Sequence, residues 1–160
     1  MNPPAKGGEL RAARILVIAL ITGIVIFGGI VTTLTATGMN NDPPLQLYGL
    51  NVLAILSCVS AVFFVLAWTM YGKRIRKIKE SSLTLPDKLN LYRSALILYM
   101  ALCEAPALLS SVLLYLTGHY GMMLILLVAA ACMMAKFPTT ARVVEDANLD
   151  WNEQQQLSDQ

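Results

Sequence analysis

Charge is what this chain has least of. Asp, Glu, Lys and Arg make up 14% of its 160 residues, where a soluble domain carries about a quarter. So small a share argues against a fold solvated by water on every side. There is one His, and there are three Cys. His119 lies in a short connection with no second ligand candidate beside it, and Cys58, Cys103 and Cys132 all fall inside apolar runs. Neither a metal-ligand spacing nor a disulfide framework follows from that placement. A Gly-rich phosphate loop, a Ser-His-Asp or Cys-His arrangement and a metal motif are also missing. The connecting segments are too short to hold a catalytic domain. The chain therefore reads as a non-enzyme with no cofactor, no metal and no nucleic-acid partner.

What is there is apolar length. Hydrophobic residues make up 56% of the sequence, gathered in four runs at about 15–36, 47–70, 95–116 and 120–137. The first three reach the ~20 residues that cross a hydrocarbon core of about 30 Å. The fourth is shorter and spans only by continuing towards Phe137 or where the bilayer thins. The first run is too long for the core of a secretory signal, about 7–15 residues, and is expected to stay as a helix. The fold class is thus all-α: four membrane helices in a small bundle over 1–137, followed by a partly helical tail over 138–160.

Positive charge sets the orientation. All twelve Lys and Arg fall in the N-terminal tail, in the segment between runs two and three, or at and beyond the inner end of run four, where Lys136 and Arg142 stand. The connections 37–46 and 117–120 hold none. Four spans place every positive residue on one side, so the positive-inside rule puts both termini in the cytoplasm. A bacterial inner membrane is the expected location.

Within the helices, small and polar residues mark candidate seams. Thr22, Ile26, Gly29, Thr33 and Ala36, with Gly28 beside them, form one stripe on helix one. Asn51, Ala54, Cys58 and Ala61, flanked by Ser57 and Ser60, form another on helix two. Small residues let helix backbones approach closely in lipid. Trp68 and Tyr71 fall where an interfacial belt is expected. The run that follows, with Lys73, Arg74, Arg76, Lys77 and Lys79, is a topology determinant and a candidate contact for anionic lipid.

Helix three has legible ends. Thr84 suits the N-cap, Pro86 the first turn and Asp87 a capping-box position. Gly118 suits the end. That predicts about 33 residues, or some 50 Å. In the tail, Pro138-Thr139-Thr140 opens a short helix through Glu145, and Asp150–Glu153 suits a second cap. The acidic tail can dock on the basic segment.

One acid breaks the apolar pattern: Glu104, in the middle of run three. A carboxyl at that depth costs at least about 2.5 kcal/mol on insertion scales, so it is neutral, paired or facing a cavity. Pro106, two residues on, frees the carbonyl of Leu102. Arg93, Met100, Glu104, Ser111 and Tyr115 lie within about 60° on the helix, although Ser111 and Tyr115 are about 10 and 16 Å above Glu104 by helical rise. A small chain with one membrane glutamate invites comparison with the rotary-ATPase proteolipids. Their dense small-residue repeats are missing here, the acid lies in the third run, and the Lys73–Arg93 connection is long. The expected role is an accessory or assembly subunit that packs against itself or a larger membrane complex. The competing class is a proton- or ion-translocating component using Glu104. No second acid, His or basic residue shares its depth, which makes it a poor relay.

Overall fold

Three long helices dominate the computed structural model, which describes residues 8–38, 49–81 and 83–147. They are α1 (Gly8–Ala36), α2 (Gly49–Lys79) and α3 (Leu85–Thr117). A shorter α4 (Met122–Ala135) and α5 (Thr140–Ala147) follow. α1, α2 and α3 are each long and apolar enough to cross a membrane, and α4 with α5 makes a fourth candidate if that bent pair is one span. Large side chains such as Ile15, Val25, Ile55, Val65 and Leu124 point outward from these helices. A surface of that kind belongs against acyl chains, and three to four candidate spans point to an integral membrane protein.

α3 is the hub. α1, α2 and α4 each pack chiefly against it, while α1 also touches α4 and α5 lies on α2 and α3. The residues α3 buries include Ala95, Cys103, Ala107, Ser110 and Ser111, whose small size lets three helices approach one axis. Pro106 is buried within the same helix, which continues through it to Thr117. Towards the end that carries the basic segment, Val17, Ile24, Tyr71, Tyr92, Tyr99 and Met133 share a large core with Val143 and Ala147 of α5. Towards the other end Val31, Leu56, Leu114, Met122 and Ile125 form a smaller one.

The limits of α3 match the caps read from the sequence. Thr84 occupies the N-cap with extended backbone, a proline follows in the first turn, and Gly118 closes the helix at φ 66°. The Gly118 N–H donates to the Leu114 carbonyl at 2.8 Å, the left-handed cap that glycine accepts without a Cβ penalty. The Thr84 hydroxyl donates to Asp87 Oδ2 at 2.6 Å instead of bonding a backbone N–H.

One expectation stays open and one changes. α4 has 14 residues, about 21 Å of rise, which falls short of a hydrocarbon core. Its register ends in 137–139, where Pro138 cannot continue a helical ladder, and α5 departs at 75°. Tyr71, expected in an interfacial belt, is instead an interior residue at 4% exposure, whereas Trp68 is 63% exposed. Residues 39–46 of the first connection and the cap at Asp150–Glu153 lie outside the described residues.

Gly28 is where α1 meets α4. A Cβ added there would run into the Leu126 side chain, whereas one at Gly29 would meet nothing within 4 Å. Valine cannot turn its branch away from such a contact, because χ1 is stiff in a helix. Gly28→Val should therefore cost about 1–3 kcal/mol by overpacking. Gly29→Val should stay within about 0.5 kcal/mol, both measured by reversible unfolding in detergent micelles.

Candidate functional site

Glu104 stands at the rim of the outward face of α3. At 100° per residue its neighbours on one side are Ile97, Ala101 and Leu108, all exposed. On the other side are Met100, Cys103, Ala107 and Ser111, all buried. Glu104 itself is half-buried. Among the described residues no hydrogen bond or ion pair reaches its carboxyl.

The polar stripe expected above it does not converge on Glu104. Ser111 donates to the Ala107 carbonyl at 3.0 Å and Ser110 to the same carbonyl at 2.8 Å. Tyr115 is half-buried against the smaller core. Thr32, a possible partner from α1, donates to its own Gly28 carbonyl at 2.7 Å. These serines and Thr32 line a crevice of about 280 Å3 between α1, α3 and α4. Their hydroxyl protons are committed to backbone, so its wall is effectively apolar.

The seam residues named from the sequence divide sharply. Gly28 is buried, while Thr22, Gly29, Thr33, Asn51 and Ser57 are exposed. Their stripe companions Ile26, Ala36, Ala54, Cys58 and Ala61 are exposed as well. Packing within the chain uses different faces: Ala13, Val17, Ile24 and Val31 on α1, and Leu56, Ala67, Tyr71, Ile75 and Ile78 on α2.

A second polar cluster, at the basic end, gathers residues from every helix. The Tyr71 hydroxyl donates to Asp146 Oδ2 at 2.7 Å, and the Tyr71 and Tyr99 rings meet edge to face at 5.5 Å. Arg14 donates from Nε to the Pro138 carbonyl at 3.0 Å and from Nη2 to Thr140 Oγ1 at 2.8 Å. Arg142 donates to the Ala135 carbonyl. Lys136 Nζ lies 4.5 Å from the Trp68 ring centre and 4.9 Å from that of Tyr71, a cation–π range. The Tyr99 hydroxyl donates to the Cys132 carbonyl at 3.2 Å.

Together these contacts fasten α5 under the bundle, with Val143 and Ala147 fully buried. The tail thus docks on tyrosines and α1, with Asp146 bonded to Tyr71. Sequence reading missed this cluster. One signal was present: Tyr92 and Tyr99, seven apart, share a face of α3.

The basic run is also not uniform. Arg76 pairs with Glu80 at 2.8 Å on the exposed side. Arg74 turns to α3 and donates to Ser94 Oγ at 3.1 Å. Lys73, Lys77 and Lys79 are exposed. Among the described residues no group of three or more His, Cys, Asp or Glu could hold a metal ion.

No family model, no curated protein and no solved structure matches this chain.

The two polar places should respond differently to conservative change. Tyr71→Phe removes a hydrogen bond to a carboxylate and should cost about 1.5 kcal/mol. It should also raise amide exchange across Thr140–Ala147, with Asp146→Asn close behind. Glu104→Gln removes no bond among the described residues and should stay within about 0.5 kcal/mol. Hydrogen–deuterium exchange and unfolding of the three variants check both statements.

Proposed function

We propose that this chain is a four-span inner-membrane protein with both termini cytoplasmic, acting as a non-enzymatic accessory or assembly subunit. It would pack against a second copy or a larger membrane complex. The observation that carries the reading is the outward placement of the small and polar stripes of α1 and α2. Lipid gives Asn51, Ser57 and Thr22 nothing to bond, whereas a neighbouring helix gives close packing and hydrogen bonds. Glu104 adds a second reason. A carboxyl at the rim of a lipid-facing surface is costly there, and a partner helix would both cover it and accept its proton in a hydrogen bond.

The orientation rests on the positive-inside rule. It is supported by the meeting of Arg14, Arg74, Lys136 and Arg142 at one end of the bundle. For the fourth span, the short α4 needs a locally thinned bilayer.

The test is assembly. Thr22→Leu with Ala61→Leu puts bulk on both outward stripes, at exposed positions away from the internal crevice. In mild detergent it should weaken self-association or partner capture about tenfold, with the unfolding midpoint unchanged. Glu104→Gln should alter assembly and leave proton flux in liposomes at the level of the wild type. A wild-type chain that is strictly monomeric with no co-purifying partner overturns the subunit reading. Proton flux that Glu104→Gln abolishes would establish the translocating alternative.

A further inference from the structure

At the basic end the Arg74–Ser94 hydrogen bond joins two open hollows, one on the surface of α3 and one between α2 and α3. One, of about 260 Å3, is lined by Asn90, Arg93, Ser94 and Ile97. The other, of about 320 Å3, is lined by Arg74, Lys77, Ile78 and Leu91. Three cationic side chains from two helices therefore line two adjoining hollows that together make one open cleft. None of the three has a carboxylate partner among the described residues. Of the acids at this end, Glu80 is engaged by Arg76, Asp87 by Thr84 and Asp146 by Tyr71.

The cleft also holds unused donors. Among the described residues Arg93 Nε is buried and has no hydrogen-bond partner, a state that costs free energy until an acceptor arrives. Ser94 Oγ accepts from Arg74 Nη1 at 3.1 Å, which leaves its own proton to donate. The Asn90 amide supplies two more N–H groups. Above these polar groups the rim turns apolar, with Ile97 at 38% exposure. Ala101 continues the same exposed face along the span.

We propose that this cleft is a binding site for an anionic phospholipid, with Arg74, Arg93 and Ser94 holding the phosphate and Lys77 and Asn90 its headgroup. Guanidinium forks match phosphate oxygens in pairs, which an ammonium cannot do. A phosphate here meets charge that the described residues leave without a carboxylate, and the acyl chain lies along Ile97 and Ala101. Free inorganic phosphate would satisfy the donors, but only a lipid brings its phosphate with acyl chains already placed against this face. The site differs from the general attraction of a basic run, because it draws on α3 and excludes Arg76.

The experiment reconstitutes the full chain in phosphatidylcholine vesicles containing phosphatidylglycerol, extracts it in mild detergent and counts retained lipid by native mass spectrometry. The wild type should retain phosphatidylglycerol in preference to phosphatidylcholine. Arg74→Ala with Arg93→Ala should lower that retention about tenfold, whereas Lys73→Ala with Lys79→Ala, an equal loss of charge, should change it by about twofold or less. Excess inorganic phosphate should not displace the lipid. Equal losses in the two double variants would show diffuse attraction and overturn the site, as would displacement by phosphate or no preference at all. If the Ala pair does not fold, Arg74→Lys with Arg93→Lys keeps the charge and should still lose about threefold through the missing fork. Unchanged retention in that variant overturns the proposal.

Discussion

Everything in this bundle depends on how closely three helices can approach α3. Lipid removes the hydrophobic drive that gathers helices in water, so van der Waals contact and short hydrogen bonds must hold them together. α3 meets that demand with Ala95, Cys103, Ala107, Ser110 and Ser111 on its buried faces. Both serines return their protons to the Ala107 carbonyl, so they contribute small size without presenting an unmet donor. Pro106 sits among them, buried, in a helix that does not break. Neighbouring helices are what make a mid-span proline tolerable.

The two ends of the bundle are built differently. At the far end the helices enclose a smaller core and leave the crevice beside Gly28. At the basic end, α5 closes the base through tyrosine, arginine and lysine contacts drawn from α1, α2 and α4. The shortness of α4 is what allows this. Its helix stops at Ala135, Pro138 prevents continuation, and the 75° turn carries Val143 and Ala147 back under α2 and α3. A longer fourth helix would project its tail away from the bundle and leave Tyr71 without Asp146.

Length and local chemistry were readable from the sequence; facing was not. The spans follow from runs of apolar residues, and the limits of α3 follow from Thr84, Pro86 and Gly118, whose signals act within one turn. Which side of a helix turns inward is a different matter. In water the apolar face marks the interior, but a membrane helix is apolar all round and carries little such asymmetry. Small residues remain as a cue, and they mark close approach without saying to what. Gly28 faces α4, while Gly29, one residue on, faces outward. The same ambiguity hid Tyr71, since a tyrosine near a helix end suits either a membrane interface or an interior hydrogen bond. The α5 cluster was out of reach because it joins Arg14 to Thr140 across 126 positions.

The outward face of α3 now holds the functional question. Asn90, Ser94, Ile97 and Ala101 lie exposed along it, and Glu104 stands at its rim. Ten residues separate Ser94 from Glu104, about 15 Å of helical rise. One surface thus carries donors for a phosphate at the membrane boundary and a lone carboxyl deep in the apolar span. A lipid chain running up this face can lie over alanines but gives a carboxyl no acceptor. A helix from another chain can do so, and the small side chains of Ala101 and Ala105 leave it room. Lipid at the boundary and protein at mid-span are therefore compatible occupants of the same face, each matched to the polarity at its own depth.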